Sequence, residues 1–232
     1  MAFYQQNSIS IIFVALFKMY NDETKRKLEN IVRGSFIEGS SDHCTAIRNF
    51  LCASFGTSTT VKREFESKLI IKKEQDSSLR NYANKNQLWI TQIQGQYLTR
   101  GGESQIYLDT DSKHVIKIND AVYYATWLEY FNSLLLHNLI FKDTAYTFIG
   151  FTEIDNDLYA VVKQPFISAD GQAALDDIKT FLEYNGFQNT RRQDYFNKTY
   201  GLILEDMHDE NVILKSNKLF FIDTVFYIVA ET

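Results

Sequence analysis

Three side chains near the carboxyl end have the types and spacing to hold a divalent cation. Asp206, Asn211 and Asp223 lie within Gly201 to Tyr227, GLILEDMHDENVILKSNKLFFIDTVFY. Val212-Ile213-Leu214 and Leu219-Phe220-Phe221-Ile222 read as strands, with Lys215-Ser216-Asn217-Lys218 as the turn between them. Closing that hairpin sets Asn211, before the first strand, beside Asp223, after the second. Asp206 stands five residues upstream, on the loop that enters the hairpin. Two oxygen ligands beside a third carboxylate suit Mg²⁺, which takes hard oxygen donors and shares its coordination with substrate phosphates. The plainer account is a solvated acidic turn.

A cation and a further carboxylate lie upstream. Lys117 sits between Ile116 and Ile118 in the strand His114 to Ile118, so strand alternation turns its ammonium to the face opposite the isoleucines. A solvent-facing lysine on an amphipathic strand is the alternative. Asn119 or Asp120 can cap a helix from Ala121 to about Asn138, in which Glu129 is the only acidic residue. A lone carboxylate among Trp127, Leu128, Tyr130 and Phe131 is costly to bury unless paired; otherwise it faces solvent.

The elements that must carry these groups follow from apolar periodicity. Leu88 to Ile93 reads as a strand and Gly95 to Arg100 as a polar turn. Gly101-Gly102-Glu103-Ser104, an ordinary hairpin signal, leads into a strand from Gln105 to Leu108. With His114 to Ile118, and with Ala145 to Glu153 and Leu158 to Gln164 paired around Asp155-Asn156-Asp157, this makes a five-stranded sheet. Pro165, the only proline, follows. Asp170 opens a helix to about Tyr184 that Gly186 ends, and Arg191 to Tyr200 reads as a short helix. Upstream, helices are expected over Ser8 to Tyr20, Thr24 to Arg33, with Asn21-Asp22 between them, and Asp42 to Phe55, stopped by Gly56. A fourth covers Glu64 to Lys73, and the charged run Lys72 to Ser78 is a candidate boundary. His43 beside Cys44 has no second ligand or base nearby and reads as an ordinary helix residue.

Composition narrows the class. The chain has 232 residues, 45% of them hydrophobic and 15% aromatic, so it can bury a sizeable core. A net charge of -5 without a Lys/Arg stripe argues against nucleic acid as a partner. Ile9 to Phe17 falls short of the roughly 20 residues that span a bilayer. The preceding MAFYQQN has no Lys or Arg and makes a poor secretory signal. A cytoplasmic protein with no membrane association is expected. Cys44 and Cys52 fit neither a disulfide scaffold nor a zinc knuckle and read as buried thiols.

Asp-x-His-x-x-Asn followed by a strand pair ending in apolar-apolar-Asp resembles the catalytic and metal loops of the protein-kinase-like superfamily. The resemblance is closest to the kinase-like domains of polyvalent proteins of bacterial mobile elements and phages. It runs through GGESQIY, VIKIND, YAVVKQPF, LEDMHDENVIL and FFIDTVF, from about Thr99 to Phe226. It implies an α+β, bilobal protein-kinase-like fold with a five-stranded antiparallel N-lobe sheet over 86–164 and a minimal helical C-lobe over 165–232. Residues 1–85 would form an extra helical segment. It implies an ATP- and Mg²⁺-dependent phosphotransferase, in which Asp206 orients the acceptor hydroxyl and Asn211 and Asp223 hold Mg²⁺. By the same resemblance Lys117, paired with Glu129, contacts the phosphates; Gly101, Gly102 and Ser104 donate backbone N–H groups to them; and backbone groups of Val162 to Gln164 meet the adenine edge.

The acceptor implied is a protein Ser, Thr or Tyr hydroxyl. A pseudokinase or nucleotide-binding regulatory module, and a small-molecule kinase, are the alternatives. Leu204-Glu205 replaces the His-Arg or His-Gly that precedes the base elsewhere, and His208 resembles the aminoglycoside and choline phosphotransferases. Asp223 is followed by Thr224-Val225-Phe226 instead of Phe-Gly, and the chain stops at Thr232. Without later large-lobe helices, residues 8 to 70 are expected to fold beneath the Leu219 to Ile222 strand.

Overall fold

The computed structural model describes residues 22–39, 42–55, 65–102 and 104–229. The helix expected over Ser8 to Tyr20 and the stop at Gly56 lie outside them. The chain is a mixed α and β fold whose sheets are all antiparallel.

Helix α1 (Asp22–Val32) carries Asp22 and Glu23 in its first turn, where carboxylates favour the helix dipole. It buries Thr24, Leu28 and Ile31 along one stripe. Asp42 caps α2 (His43–Phe55) by accepting from the Thr45 N–H at 2.9 Å. Cys44 and Cys52 are buried free thiols, as expected. Arg48, fully buried, donates to the carbonyls of Asn30 and Ile31 near the end of α1, to that of Ser35 in the loop beyond it, and to Asn132 Oδ1. It thereby joins three segments through one guanidinium.

Helix α3 (Phe65–Asn86) runs unbroken through the charged stretch that reads as a boundary in the sequence. Lys72, Gln75, Leu79 and Ala83 share its inward face, and the polar members bind backbone: Lys72 Nζ donates to the carbonyls of Ala121 (2.6 Å) and Tyr124 (3.1 Å), and Gln75 accepts from the Leu128 N–H (3.2 Å). Left-handed Gln87 and the bond from Leu88 N–H to Ala83 O close the helix.

The largest sheet has the order β1-β2-β3-β5-β4, from β1 (Gln96–Arg100), β2 (Ser104–Leu108), β3 (His114–Asn119), β4 (Thr147–Ile154) and β5 (Asp157–Pro165). Leu88 to Ile93 is not its first strand. Only Trp89 makes an isolated bridge, to Phe151, while Ile90 and Ile93 lie over Ile116, Ile118 and Val161 on the outer face of the sheet. The first strand is the exposed QYLTR segment, whose polarity made it read as a turn. Asp155 and Asn156, both at positive φ, form the two-residue turn between β4 and β5.

Helix α4 (Trp127–Ile140) is buried on nearly every side: Trp127, Tyr130, Phe131, Ser133, Leu134, Leu135, Leu136, His137 and Ile140 are all buried. It starts later than the sequence predicts. Asn119 Oδ1 and Asp120 Oδ1 accept from the Ala121 and Val122 N–H groups in local turns, and Ala121 has φ +55. Thr126 is the actual cap, accepting from Glu129 N–H at 3.1 Å. Helices α1 and α2 pack on α4. Among the described residues, Phe141, stacked at 4.3 Å, and Phe181, at 5.1 Å, pack on Phe221, which shares one core with Leu28, Ile31, Ile47 and Leu51 of α1 and α2.

Beyond Pro165 the described chain holds one α-helix, α5 (Leu175–Tyr184), and seven short strands, so the expected helical character is corrected. Asp170 does not start α5. Its N–H donates to Leu214 O (2.9 Å) and its carboxylate accepts from Ser216 N–H (2.7 Å), which ties the incoming chain to a hairpin instead. Gly186 does end α5, at φ +81. The strands are β6 (Gly171–Gln172), β7 (Gln188–Arg191), β8 (Asp194–Asn197), β9 (Leu202–Glu205), β10 (Val212–Lys215), β11 (Lys218–Phe221) and β12 (Val225–Ile228). They form sheets β11-β10-β6 and β12-β9-β8-β7. The expected helix over Arg191 to Tyr200 is the hairpin β7–β8, turned at left-handed Arg192. Among the described residues no helix is long and apolar enough to cross a membrane.

Candidate active site

The hairpin β10–β11 turns at Ser216 and Asn217, both at positive φ, with Lys215 opposite Lys218. Its open end pairs Val212 with Phe221, and Ile222 N–H donates to Asn211 O at 3.0 Å. Asn211 therefore stands across from Ile222, next to Asp223. Its Nδ2 donates to Asp206 O at 2.9 Å, which uses the amide hydrogens on that side and leaves Oδ1 as an oxygen donor. A carboxylate and an amide oxygen at one hairpin mouth form a hard-donor pair that fits Mg²⁺.

Asp206 has φ +64, a backbone region that non-glycine residues seldom adopt. The β7–β8 turn, invisible to sequence reasoning, holds it there: Asp206 N–H donates to Asp194 Oδ1 (3.2 Å) and Met207 N–H to Gln193 O (3.0 Å). Buried Met207 pins the loop to the core and leaves the Asp206 side chain 67% exposed. His208 Nδ1 accepts from Glu210 N–H at 3.2 Å, and its Nε2 lies 3.2 Å from Asn211 Nδ2 and 3.4 Å from Asp206 Oδ1. Burial and the neighbouring Asp194 and Asp206 charges raise the Glu205 pKa above its ordinary value.

Lys117 faces away from Ile116 and Ile118, as alternation requires, and is buried. Its Nζ donates to Ile222 O at 2.8 Å, lies 3.5 Å from Tyr146 Oη, and is 3.7 Å from Asp223 Oδ2. The expected Lys117–Glu129 pair is not made. Glu129 Oε2 accepts from Ala125 N–H at 2.9 Å and its Oε1 lies 3.4 Å from Lys68 Nζ. With Thr126 it forms a reciprocal cap on the first turn of α4, and this turn carries its side chain outward.

The backbone of Val162 and Gln164 is also placed otherwise than expected. Phe166 N–H donates to Lys113 O at 2.8 Å, and Val115 and Lys117 stand opposite Gln164 and Val162. By the two-residue alternation of an antiparallel ladder, both residues direct their amide groups at β3. The Gln164 side chain is buried and donates to Thr144 O at 2.7 Å.

At the other rim, Gly101 N–H bonds Ser104 O at 2.9 Å across the β1–β2 turn. Asn119 Nδ2 donates to Ser104 Oγ at 3.0 Å, tying that turn to the end of β3. A side chain at Gly102 would meet the Tyr123 hydroxyl at 3.0 Å, so glycine allows the turn to lie against that ring.

A buried lysine on a sheet, aimed at an aspartate beyond a hairpin whose mouth offers an amide oxygen, is an arrangement suited to phosphoryl chemistry. It defines the class as kinase-like. Residues 72–230 match the model of the Ser/Thr/Tyr kinases found in polyvalent proteins, and the chain belongs to that family. No curated protein matches it.

Proposed function

We propose that this chain is an ATP- and Mg²⁺-dependent phosphotransferase acting on protein Ser, Thr or Tyr hydroxyls, a cytoplasmic protein of a bacterial mobile element. The observation that carries this reading is the 3.7 Å approach of Lys117 to Asp223, which joins the five-stranded sheet to the metal hairpin. On this reading the fold is bilobal: β1 to β5 with α4 form the nucleotide lobe, and the chain from Pro165 forms the lobe that carries the metal and acceptor groups.

The roles follow from position. The Asp206 carboxylate, which accepts from Asn211 Nδ2 at 3.3 Å, takes the proton of the acceptor hydroxyl as that oxygen attacks the γ-phosphorus. The bond to the β-phosphate oxygen breaks and ADP leaves. The Lys117 ammonium binds nucleotide phosphate oxygens. Asn211 Oδ1 and the Asp223 carboxylate would hold Mg²⁺, which supplies charge neutralisation on the phosphates. The turn of Gly101, Gly102 and Ser104 would cover the phosphates, with the Gly101 N–H, bonded to Ser104 O, holding the turn closed instead of donating to them. The adenine edge falls to the backbone beyond Gln164, at Pro165 and Ile167, because the groups of Val162 and Gln164 are committed to β3.

Radiolabelled ATP tests the reading. Asp206→Ala should reduce phosphate transfer by about 10²–10⁴-fold, the usual contribution of a general base. Nucleotide-induced thermal stabilisation without transfer to any protein would overturn it in favour of a nucleotide-binding module. One observation favours small-molecule acceptors as a second reading: the chain after Asp223 enters β12 at once, with Val225 paired to Glu205, so no peptide-binding segment intervenes. Phosphorylation of a panel of hydroxylated small molecules would establish that alternative.

A further inference from the structure

The Asp223 carboxylate has no helix glutamate arranging its surroundings, yet the chain on either side of it is tightly held. Before it, Ile222 O accepts from Lys117 Nζ (2.8 Å) and Tyr146 Oη (2.9 Å), and Phe221 O accepts from Thr144 Oγ1 (2.6 Å). After it, Thr224 Oγ1 lies 2.7 Å from His137 Nδ1, and Phe226 N–H donates to Ser133 Oγ at 3.0 Å. Among the described residues no buried side-chain polar atom lacks a partner.

The protons of this network can be assigned from its acceptors. Thr144 O lies 2.9 Å from His137 Nε2 and also accepts from Gln164 Nε2 at 2.7 Å. A carbonyl only accepts, so His137 Nε2 carries hydrogen. His137 is buried, and desolvation lowers its pKa to about 3, so the ring is neutral. The Nδ1 lone pair must then accept, and the Thr224 hydroxyl donates. Thr224 is buried while the adjoining Asp223 side chain is 43% exposed and 3.7 Å from Lys117 Nζ, so anchoring Thr224 fixes the backbone from which the Asp223 carboxylate projects.

We propose that His137 is a positioning residue for the metal ligand: as the Nε2–H tautomer it holds the Thr224 hydroxyl, and through it directs the Asp223 carboxylate into the cleft. This rests on the phosphotransferase reading of the same site. A group behind a metal ligand contributes typically 10–100-fold to metal affinity.

The test uses the full chain and titrates Mg²⁺ by calorimetry in the presence of a non-hydrolysable ATP analogue. Thr224→Val, which keeps shape and removes the hydroxyl, should weaken Mg²⁺ 10–100-fold while analogue binding in EDTA stays unchanged. Thr224→Ser should remain within threefold of wild type, and His137→Phe combined with Thr224→Val should be no worse than the worse single variant. A folded Thr224→Val with wild-type Mg²⁺ affinity overturns the proposal. If Thr224→Val does not fold, nitrogen NMR of the wild-type chain decides: a protonated His137 Nδ1 overturns it, and a bare Nδ1 beside Nε2–H supports it. Wild-type protein that binds no Mg²⁺ with the nucleotide, indistinguishable from Asp223→Asn, would overturn the site reading itself and this inference with it.

Discussion

Replacing Glu129 by Gln separates two accounts of Lys117. In the structure Glu129 is a capping residue at the surface. Its side chain is 33% exposed, its partner Lys68 is 40% exposed at 3.4 Å, and the bond it accepts from Ala125 N–H can be kept by a glutamine oxygen. An exposed pair contributes about 0.2–1 kcal/mol. At roughly 2–4 °C per kcal/mol for a chain of this size, Glu129→Gln should lower Tm by at most about 4 °C. Phosphate transfer should stay within twofold. If Glu129 were instead the charge partner of buried Lys117, removing it would cost about 3–5 kcal/mol of stability, a Tm fall of roughly 6–20 °C, and transfer would fall with the misplaced lysine. Differential scanning calorimetry with steady-state transfer from labelled ATP measures both quantities. A Tm fall of that size, together with lost transfer, would refute the reasoning, because it would place Glu129 on Lys117.

Buried His137, with a pKa near 3 in the fold, should make stability depend on pH. The unfolded chain protonates near pH 6.5, so this contribution is fully present above that value. It is lost as pH falls, by about 1.4 kcal/mol per unit, until about pH 3. Urea unfolding at pH 7 and pH 5 should show about 2 kcal/mol of extra loss relative to His137→Gln; equal losses would refute the assignment. Gly150→Ala places a Cβ 2.5 Å from Leu88 O and 2.8 Å from Ile90 Cγ1, where backbone cannot yield cheaply. We expect about 1–3 kcal/mol of destabilisation, visible as a Tm lower by several degrees. Leu28, Ile31, Ile47, Leu51, Leu79 and Ala83 belong to the same core as α4, so a fragment of residues 87–232 should be insoluble. Cooperative unfolding of that fragment would count against a shared core.

Much of the site was legible because it depends on local rules. Polar Lys215 to Lys218 between apolar runs specified a hairpin, and closing it carried Asn211 toward Asp223 whatever the rest of the chain did. Alternation alone sent Lys117 to the face away from Ile116 and Ile118. What failed were choices that contacts decide. The same short apolar run can lie on a sheet or join it, and Leu88 to Ile93 lies on it because Phe151 takes its backbone while Ile90 and Ile93 cover the outer face. The charged stretch of α3 looked like an edge because its inward positions are polar; their partners are backbone groups roughly 50 residues downstream, at Ala121, Tyr124 and Leu128.

The sequence by itself determined the chemical inventory and its local geometry: an amine on one strand, and oxygen donors at one hairpin mouth. The tertiary structure decided the partners. Thr126, and not Asn119, starts α4; this carries Glu129 outward to Lys68 and leaves His137 and Ser133 facing the segment around Asp223. A helix's first residue sets the azimuth of every later one at about 100° per residue, and long-range packing chose that start among several local caps.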